Sequence, residues 1–280
     1  MKPLDPVLVV DLFLAERDAL LQLLAGLSEE EWGRSSVCPG WSVKDVALHL
    51  LGDDVGRLSR GRDSFGGAAF VPQPDADFEA ELLAFINEAN ERWVQSTRRI
   101  SPHLLCDLLR FTGEETNRYF QSLDPLQIDE PVSWAGPDPA PVWLDIAREY
   151  TERWLHQQQI RDAVGRPGLK ERRFFAPVLD AFVRALPHTF RDVDAPEGVH
   201  VKLTVSGAAG GEWSLVHGDG KWSLYLDVDA EPIAAVVMDQ ETAWRLFTKG
   251  ISKDEASGRA TLRGDRTLGM KVLDTVSIIA

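Results

Sequence analysis

Glu152 and His156 stand four residues apart in Tyr150-Thr151-Glu152-Arg153-Trp154-Leu155-His156, within a run from about 141 to 164 that reads as one helix. On an α-helix this spacing puts both side chains on one face, a turn apart, where they can converge on one point. A carboxylate and an imidazole so placed are two ligand types of a divalent metal such as zinc. The pair alone is common on surface helices, so a metal site needs a third ligand from elsewhere. The candidate lies roughly a hundred residues upstream, His49 in Gly40-Trp41-Ser42-Val43-Lys44-Asp45-Val46-Ala47-Leu48-His49-Leu50. Two imidazoles and one carboxylate leave positions open for water or substrate, the arrangement of a catalytic metal. Such a metal lowers the pKa of a bound water or thiol and polarises a carbonyl. The plainer alternative is a core His49 with satisfied nitrogens and a surface Glu152–His156 pair. The spacing alone leaves both open.

These residues need helices to position them. Ser42 reads as an N-cap with Asp45 three residues later, opening a helix to about residue 58 on which Val46, His49, Leu50 and Asp53 share one face. His49 therefore looks inward. A first helix is expected over 5–25, with Leu8, Leu12, Ala15, Ala19 and Leu23 as its apolar stripe. A short acidic turn follows at 28–32. The stretch 61–77, with Gly66-Gly67, Pro72 and Pro74, reads as a long loop over a cleft. Helical runs follow at 78–98 and 102–122. Pro125, Pro131, Pro137 and Pro139 exclude a helix from 124–140, and Gly165 and Pro167-Gly168 end the helix of Glu152 and His156.

The pattern changes near 169. One more helix spans 173–186, and then period-two alternation marks strands at 200–206, 213–216 and 222–226, the last two joined by the hairpin signal Gly218-Asp219-Gly220. A fourth strand at 233–238, a helix at 241–249, a fifth strand at 260–262 and a closing helix from 268 complete it. The expectation is an α+β chain of two domains, a helical bundle over 1–168 and a small α+β domain over 169–280.

Composition narrows the function. The 30 basic and 44 acidic residues give a formal charge of −14, which disfavours non-specific binding to nucleic acid or an anionic membrane. No apolar run is long enough to span a bilayer, and the N-terminus lacks the arrangement of a secretory signal. Two cysteines, Cys38 and Cys106, make no disulfide framework, so the expected location is cytoplasmic. Cys38 could be a nucleophile, but no His–Asp pair stands out as its partner, and an incidental thiol is the better reading.

The run from Cys38-Pro39-Gly40-Trp41 through Asp45 to His49-Leu50, followed by Glu152-Arg153-Trp154-Leu155-His156-Gln157-Gln158-Gln159-Ile160-Arg161-Asp162-Ala163, resembles the mycothiol-dependent maleylpyruvate isomerase family of the wider DinB-like metalloenzyme superfamily. The resemblance implies an N-terminal DinB-like up-down four-helix bundle and a C-terminal sterol-carrier-like domain. It also implies a divalent metal, usually zinc, with nickel or iron as alternatives, bound by His49, Glu152 and His156. The implied function is a metal-dependent enzyme with a low-molecular-weight thiol cosubstrate, either a maleylpyruvate-type isomerase or an S-transferase on a small electrophile. In the family's reaction the thiolate adds to the double bond, rotation follows, and elimination gives the isomer. A monomer or homodimer without nucleic-acid or membrane partners is expected. No catalytic residue is identified beyond the metal ligands. The Gln157-Gln158-Gln159 run departs from the family's expected pattern.

A second reading, from a different class, is a non-catalytic small-molecule binding protein with a structural or vestigial metal site. A third gives the second domain a role in partner contact or regulation. Among single residues, Asp53 is a candidate to orient a ligand, Arg161 to anchor a substrate carboxylate or pair with a bundle acid, and Arg266 to hold an anion. His103, His188, His200 and His217 have no partner at ligand spacing. Trp41, Trp143 and Trp154 are expected to pack the bundle.

Overall fold

The Ser42 hydroxyl accepts the backbone N–H of Asp45, and the Asp45 carboxylate accepts the backbone N–H of Ser42 at 3.0 Å. This reciprocal box satisfies two donors that a helix start leaves open. It launches α3 (Val43–Arg57), after α1 (Phe13–Ala25) and α2 (Glu29–Trp32). The computed structural model describes residues 1–66 and 78–278. Of the loop expected over 61–77, positions 67–77 lie outside the described residues, while Gly61 and Arg62 belong to a π-helical turn, Leu58–Arg62, that extends α3. Helices α4 (Phe78–Thr97), α5 (Pro102–Gln121) and α6 (Val142–Val164) follow as the periodicity predicts. Between α5 and α6, the proline-broken stretch makes a two-stranded ribbon of β2 (Ile128–Asp129) and β3 (Ala140–Pro141) around a 3-10 turn, Ser133–Ala135. The ribbon follows β1 (Lys2–Pro3) in chain order.

The chain divides into two compact units: Val9–Leu123 with Glu152–Leu169, and Met1–Leu8 with Asp124–Thr151 and Lys170–Ala280. The second begins its main segment beside the expected 168/169 boundary but also takes in the N-terminus and the first half of α6.

In the helical unit, Leu20, Leu24, Val46, Leu50, Leu105, Leu109 and Ile160 form one apolar cluster from α1, α3, α5 and α6. A polar layer lies within the same helices. Asp54, fully buried, accepts from Arg17 Nη1 at 2.7 Å, Arg153 Nη2 at 2.7 Å and Thr112 Oγ1 at 2.7 Å, and Gln157 Nε2 donates to buried Glu16 at 2.6 Å. The first helix consequently departs from its expected stripe. It starts later, after a 3-10 turn at Val10–Leu12, leaves Leu8 60% exposed, and buries Glu16 and Arg17 with the leucines. A hydropathy period cannot register charged side chains buried because they find partners.

The second unit is sheet-rich. After α7 (Arg172–Phe182) and α8 (Leu186–Thr189) come β4 (His200–Ser206), β5 (Gly211–Gly218), β6 (Lys221–Leu226), β7 (Ala234–Asp239), α9 (Gln240–Phe247), α10 (Lys253–Arg259), β8 (Thr261–Gly264) and α11 (Arg266–Val272). The strand order is β1-β6-β5-β4-β7-β8, antiparallel except for the parallel β4–β7 pair, which aligns Leu203 with Val236. The predicted hairpin joins β5 and β6 through Asp219 and Gly220, both at positive φ (51° and 71°), the two-residue turn whose twist matches its strands. Strand β1 has two residues and pairs with β6, too short to show a pattern in sequence. The closing helix starts earlier than expected, at Arg266, and ends by Val272. Among the described residues, no helix is long and apolar enough to cross a membrane.

Candidate metal centre

The second half of α6 distributes its residues by angle. Glu152, His156 and Gln159 share one face, and Arg153 and Gln157 share the next, turned into the polar layer. On α3, His49 and Asp53 are likewise one turn apart, with Asp54 in the polar layer. The two elements bring His49 Nε2 to 3.1 Å from His156 Nε2, with the rings nearly perpendicular at 85°. Asp53 Oδ2 lies 3.4 Å from His49 Nε2, and Glu152 Oε2 lies 3.7 Å from His156 Nε2. Among the described residues, His49, Asp53 and His156 are the group of three whose donor atoms all lie within 4.8 Å of one another.

Both imidazoles are nearly buried, at 7% and 9% exposure. Burial pushes each pKa down to about 4, for His156 with added repulsion from His49. Both rings are therefore neutral near pH 7 and offer lone pairs, the form in which histidine binds a metal. Two nitrogens bound to one tetrahedral zinc at 2.0–2.1 Å would stand about 3.3 Å apart, close to the spacing found. The same distance admits a hydrogen bond between the two rings. What a mere pair of core histidines has no need of is a carboxylate beside each Nε2, and both are present. The residues fit a divalent metal.

Supporting contacts fix the rings. Trp41 packs on His49 at a centroid distance of 5.2 Å and donates its indole N–H to Glu91 Oε2 at 2.7 Å. His156 Nδ1 lies 2.8 Å from Gln159 Oε1, which the Cys38 thiol also approaches at 3.2 Å. Burial raises the Cys38 thiol's pKa, which favours the protonated thiol, the less nucleophilic form.

Of the residues singled out from sequence, His49 and His156 meet, and Glu152 stands beside His156. Asp53, expected only to orient a ligand, reaches the centre itself. The signal was there, since His49–Asp53 repeats the four-residue spacing of Glu152–His156. Arg161 donates to Gln157 Oε1 at 2.8 Å and to the carbonyl oxygens of Arg166 and Ala19. Trp154 is buried and donates to the Leu169 carbonyl at 2.8 Å. Arg266 opens α11, and His200 and His217 are buried in β4 and β5. His103 is exposed on α5 but, contrary to expectation, has an acid at four-residue spacing, Asp107 Oδ2 at 3.6 Å from its Nε2. Gln159 was missed as a partner of the site, although it stands three residues beyond His156 on the same helical face.

The class the structure defines is a helical unit with two imidazoles meeting beside two carboxylates, on a chain with a separate sheet-rich unit. The sequence profile of the mycothiol maleylpyruvate isomerase N-terminal domain matches residues 13–161. The chain belongs to that family. It is 27% identical over 174 residues to the uncharacterized proteins MT0041 and Rv0036c of Mycobacterium tuberculosis (strains CDC 1551 / Oshkosh and H37Rv), the match covering 61% of this chain and 63% of each relative. The crystal structure of the mycothiol-dependent maleylpyruvate isomerase shares the fold, with a TM-score of 0.51 over 85% of this chain and 86% of that one at 10% identity.

Proposed function

We propose that this chain is a metal-dependent enzyme that uses a low-molecular-weight thiol of the mycothiol kind, as an isomerase of maleylpyruvate type or as an S-transferase on a small electrophile. The observation that carries the reading is the pair of neutral imidazoles, 3.1 Å apart at Nε2, on the two helices that bear the family's motifs. His49, Glu152 and His156 are the proposed ligands, with Asp53 facing the same point. When bound, a divalent metal, zinc by preference and nickel or iron as alternatives, supplies the Lewis acidity that turns a thiol into a thiolate at neutral pH. The residues hold the donors, and the Trp41 ring packed on His49 screens that side from water. A cis double bond conjugated to carbonyls then suits the thiol: sulfur adds to one carbon, the resulting single bond rotates, and elimination returns thiol and trans product with no net redox change. Cytoplasmic localisation and a monomer or homodimer complete the proposal.

The test incubates zinc-loaded protein with mycothiol and other small thiols and follows maleylpyruvate and other electrophiles. Thiol-dependent turnover that disappears in His156→Ala is expected. Turnover that needs no thiol, or that survives in His156→Ala, would contradict the reading. Ligand binding without turnover would favour a non-catalytic binding protein.

A further inference from the structure

Each of the three consecutive glutamines of α6 engages different partners. Gln157 donates to Glu16 Oε1 and accepts from Arg161, while Gln158 donates to the Gly168 carbonyl at 3.1 Å. Gln159 turns back along its own helix toward His156. Its Oε1 is 2.8 Å from His156 Nδ1 and 3.2 Å from Cys38 Sγ. A carboxamide oxygen has two lone pairs and no proton, and a thiol approaching it can only donate. Both neighbours thus converge on the oxygen as donors. A ring nitrogen that donates from Nδ1 leaves the neutral imidazole with its lone pair on Nε2, the atom facing His49 and Glu152.

We propose that Gln159 is a positioning residue of the centre, fixing His156 as the Nδ1–H tautomer with its Nε2 lone pair aimed at the metal position, and that the Cys38 thiol anchors the Gln159 carboxamide as its second donor. The metal consequence rests on the proposed function; the tautomer does not. A partner at this place orients the ring and tunes its donor strength. A neutral carboxamide suits a centre that already has the carboxylates of Asp53 and Glu152, because it holds the proton on Nδ1 without adding a third negative charge. The Cys38-Pro39-Gly40 turn thereby gains a role: it delivers a thiol to the back of a histidine on a helix more than a hundred residues away.

The experiment uses full-length protein labelled with 15N-histidine, stripped of metal by chelation, with two-bond proton–nitrogen correlation reading the His156 tautomer near pH 7. Wild type should show a protonated Nδ1. Gln159→Met, isosteric but without an acceptor oxygen, should lose that preference, and Gln159→Glu should restore it. In zinc titrations against a chelating indicator, Gln159→Met should bind about 10–100-fold more weakly than wild type, and Gln159→Glu should fall near wild type. Wild-type His156 protonated at Nε2, or a Gln159→Met protein with unchanged tautomer and zinc affinity, would overturn the proposal. A wild type that shows the Nδ1–H tautomer yet binds no zinc would reject the metal site and uphold the role of Gln159. If Gln159→Met does not fold, the wild-type tautomer alone decides.

Discussion

Burial strips His49 and His156 of their protons at neutral pH, and the side chains around them decide where the lone pairs point. His49 and the Glu152–His156 pair were legible in sequence because helical spacing puts ligands on one face. What spacing does not show is which carboxylate lies nearer the metal position. Asp53 Oδ2 is closer to an imidazole nitrogen than Glu152 Oε2, at 3.4 against 3.7 Å. If Glu152 is a ligand, as the family motif implies, Glu152→Ala should weaken zinc binding at least as much as Asp53→Ala, measured by competition with a chelator. Loss of affinity in Asp53→Ala alone would transfer the ligand role to Asp53. Gln159 escaped notice because glutamine carries no ligand signal of its own; its role depends on which oxygen a neighbouring ring reaches.

The elements hold these residues by caps, close approaches and buried charge. The Ser42–Asp45 box starts α3 seven residues ahead of His49, and Ser42→Ala should cost about 1 kcal/mol in urea unfolding. A Cβ at Gly52 would come 2.6 Å from the Trp93 indole, which donates to the Leu48 carbonyl at 2.7 Å. Gly52→Val should therefore push α4 off α3 and lower the thermal midpoint. Asp54 joins Arg17 and Arg153, so Asp54→Ala leaves two buried guanidinium groups without their shared anion and should destabilise by about 3–5 kcal/mol. A smaller loss would mean that Glu16 or water takes over the pairing. The caps and helix spans were readable because each is local in sequence. The polar layer was not, because Arg17, Asp54 and Arg153 are joined only once three helices come together.

Across the whole molecule, buried acids of opposite tendency shape stability against pH. Burial raises the Glu16 carboxyl, only partly opposed by Arg17 and Arg153. Burial also works to raise Asp45, but the Arg98 and Ser42 hydrogen bonds outweigh it and the net shift is downward. A lowered folded-state pKa gives stability that is present above the unfolded value near 3.8 and lost as pH falls through the folded one. A raised one gives stability that is present in acid and lost as pH rises through the folded value. Glu16→Gln removes that loss, so its stability relative to wild type should improve from pH 4 to pH 8, read by thermal denaturation at each pH. A pH-independent difference would contradict the ionisation of Glu16. The two-part α-then-β organisation was visible in the change of period near residue 169. The grouping of Met1–Leu8 and Asp124–Thr151 with the sheet-rich unit was not, since that depends on pairings such as Lys2 with Leu226, far apart in the chain.

The central claim, that His49 and His156 hold a metal, is tested most directly by elemental mass spectrometry of the purified native protein beside His49→Ala and His156→Ala. About one divalent metal per chain in the native protein, lost from both variants, is the predicted result. No metal in the native protein even after zinc or nickel is supplied, or full occupancy kept by both variants, would contradict it.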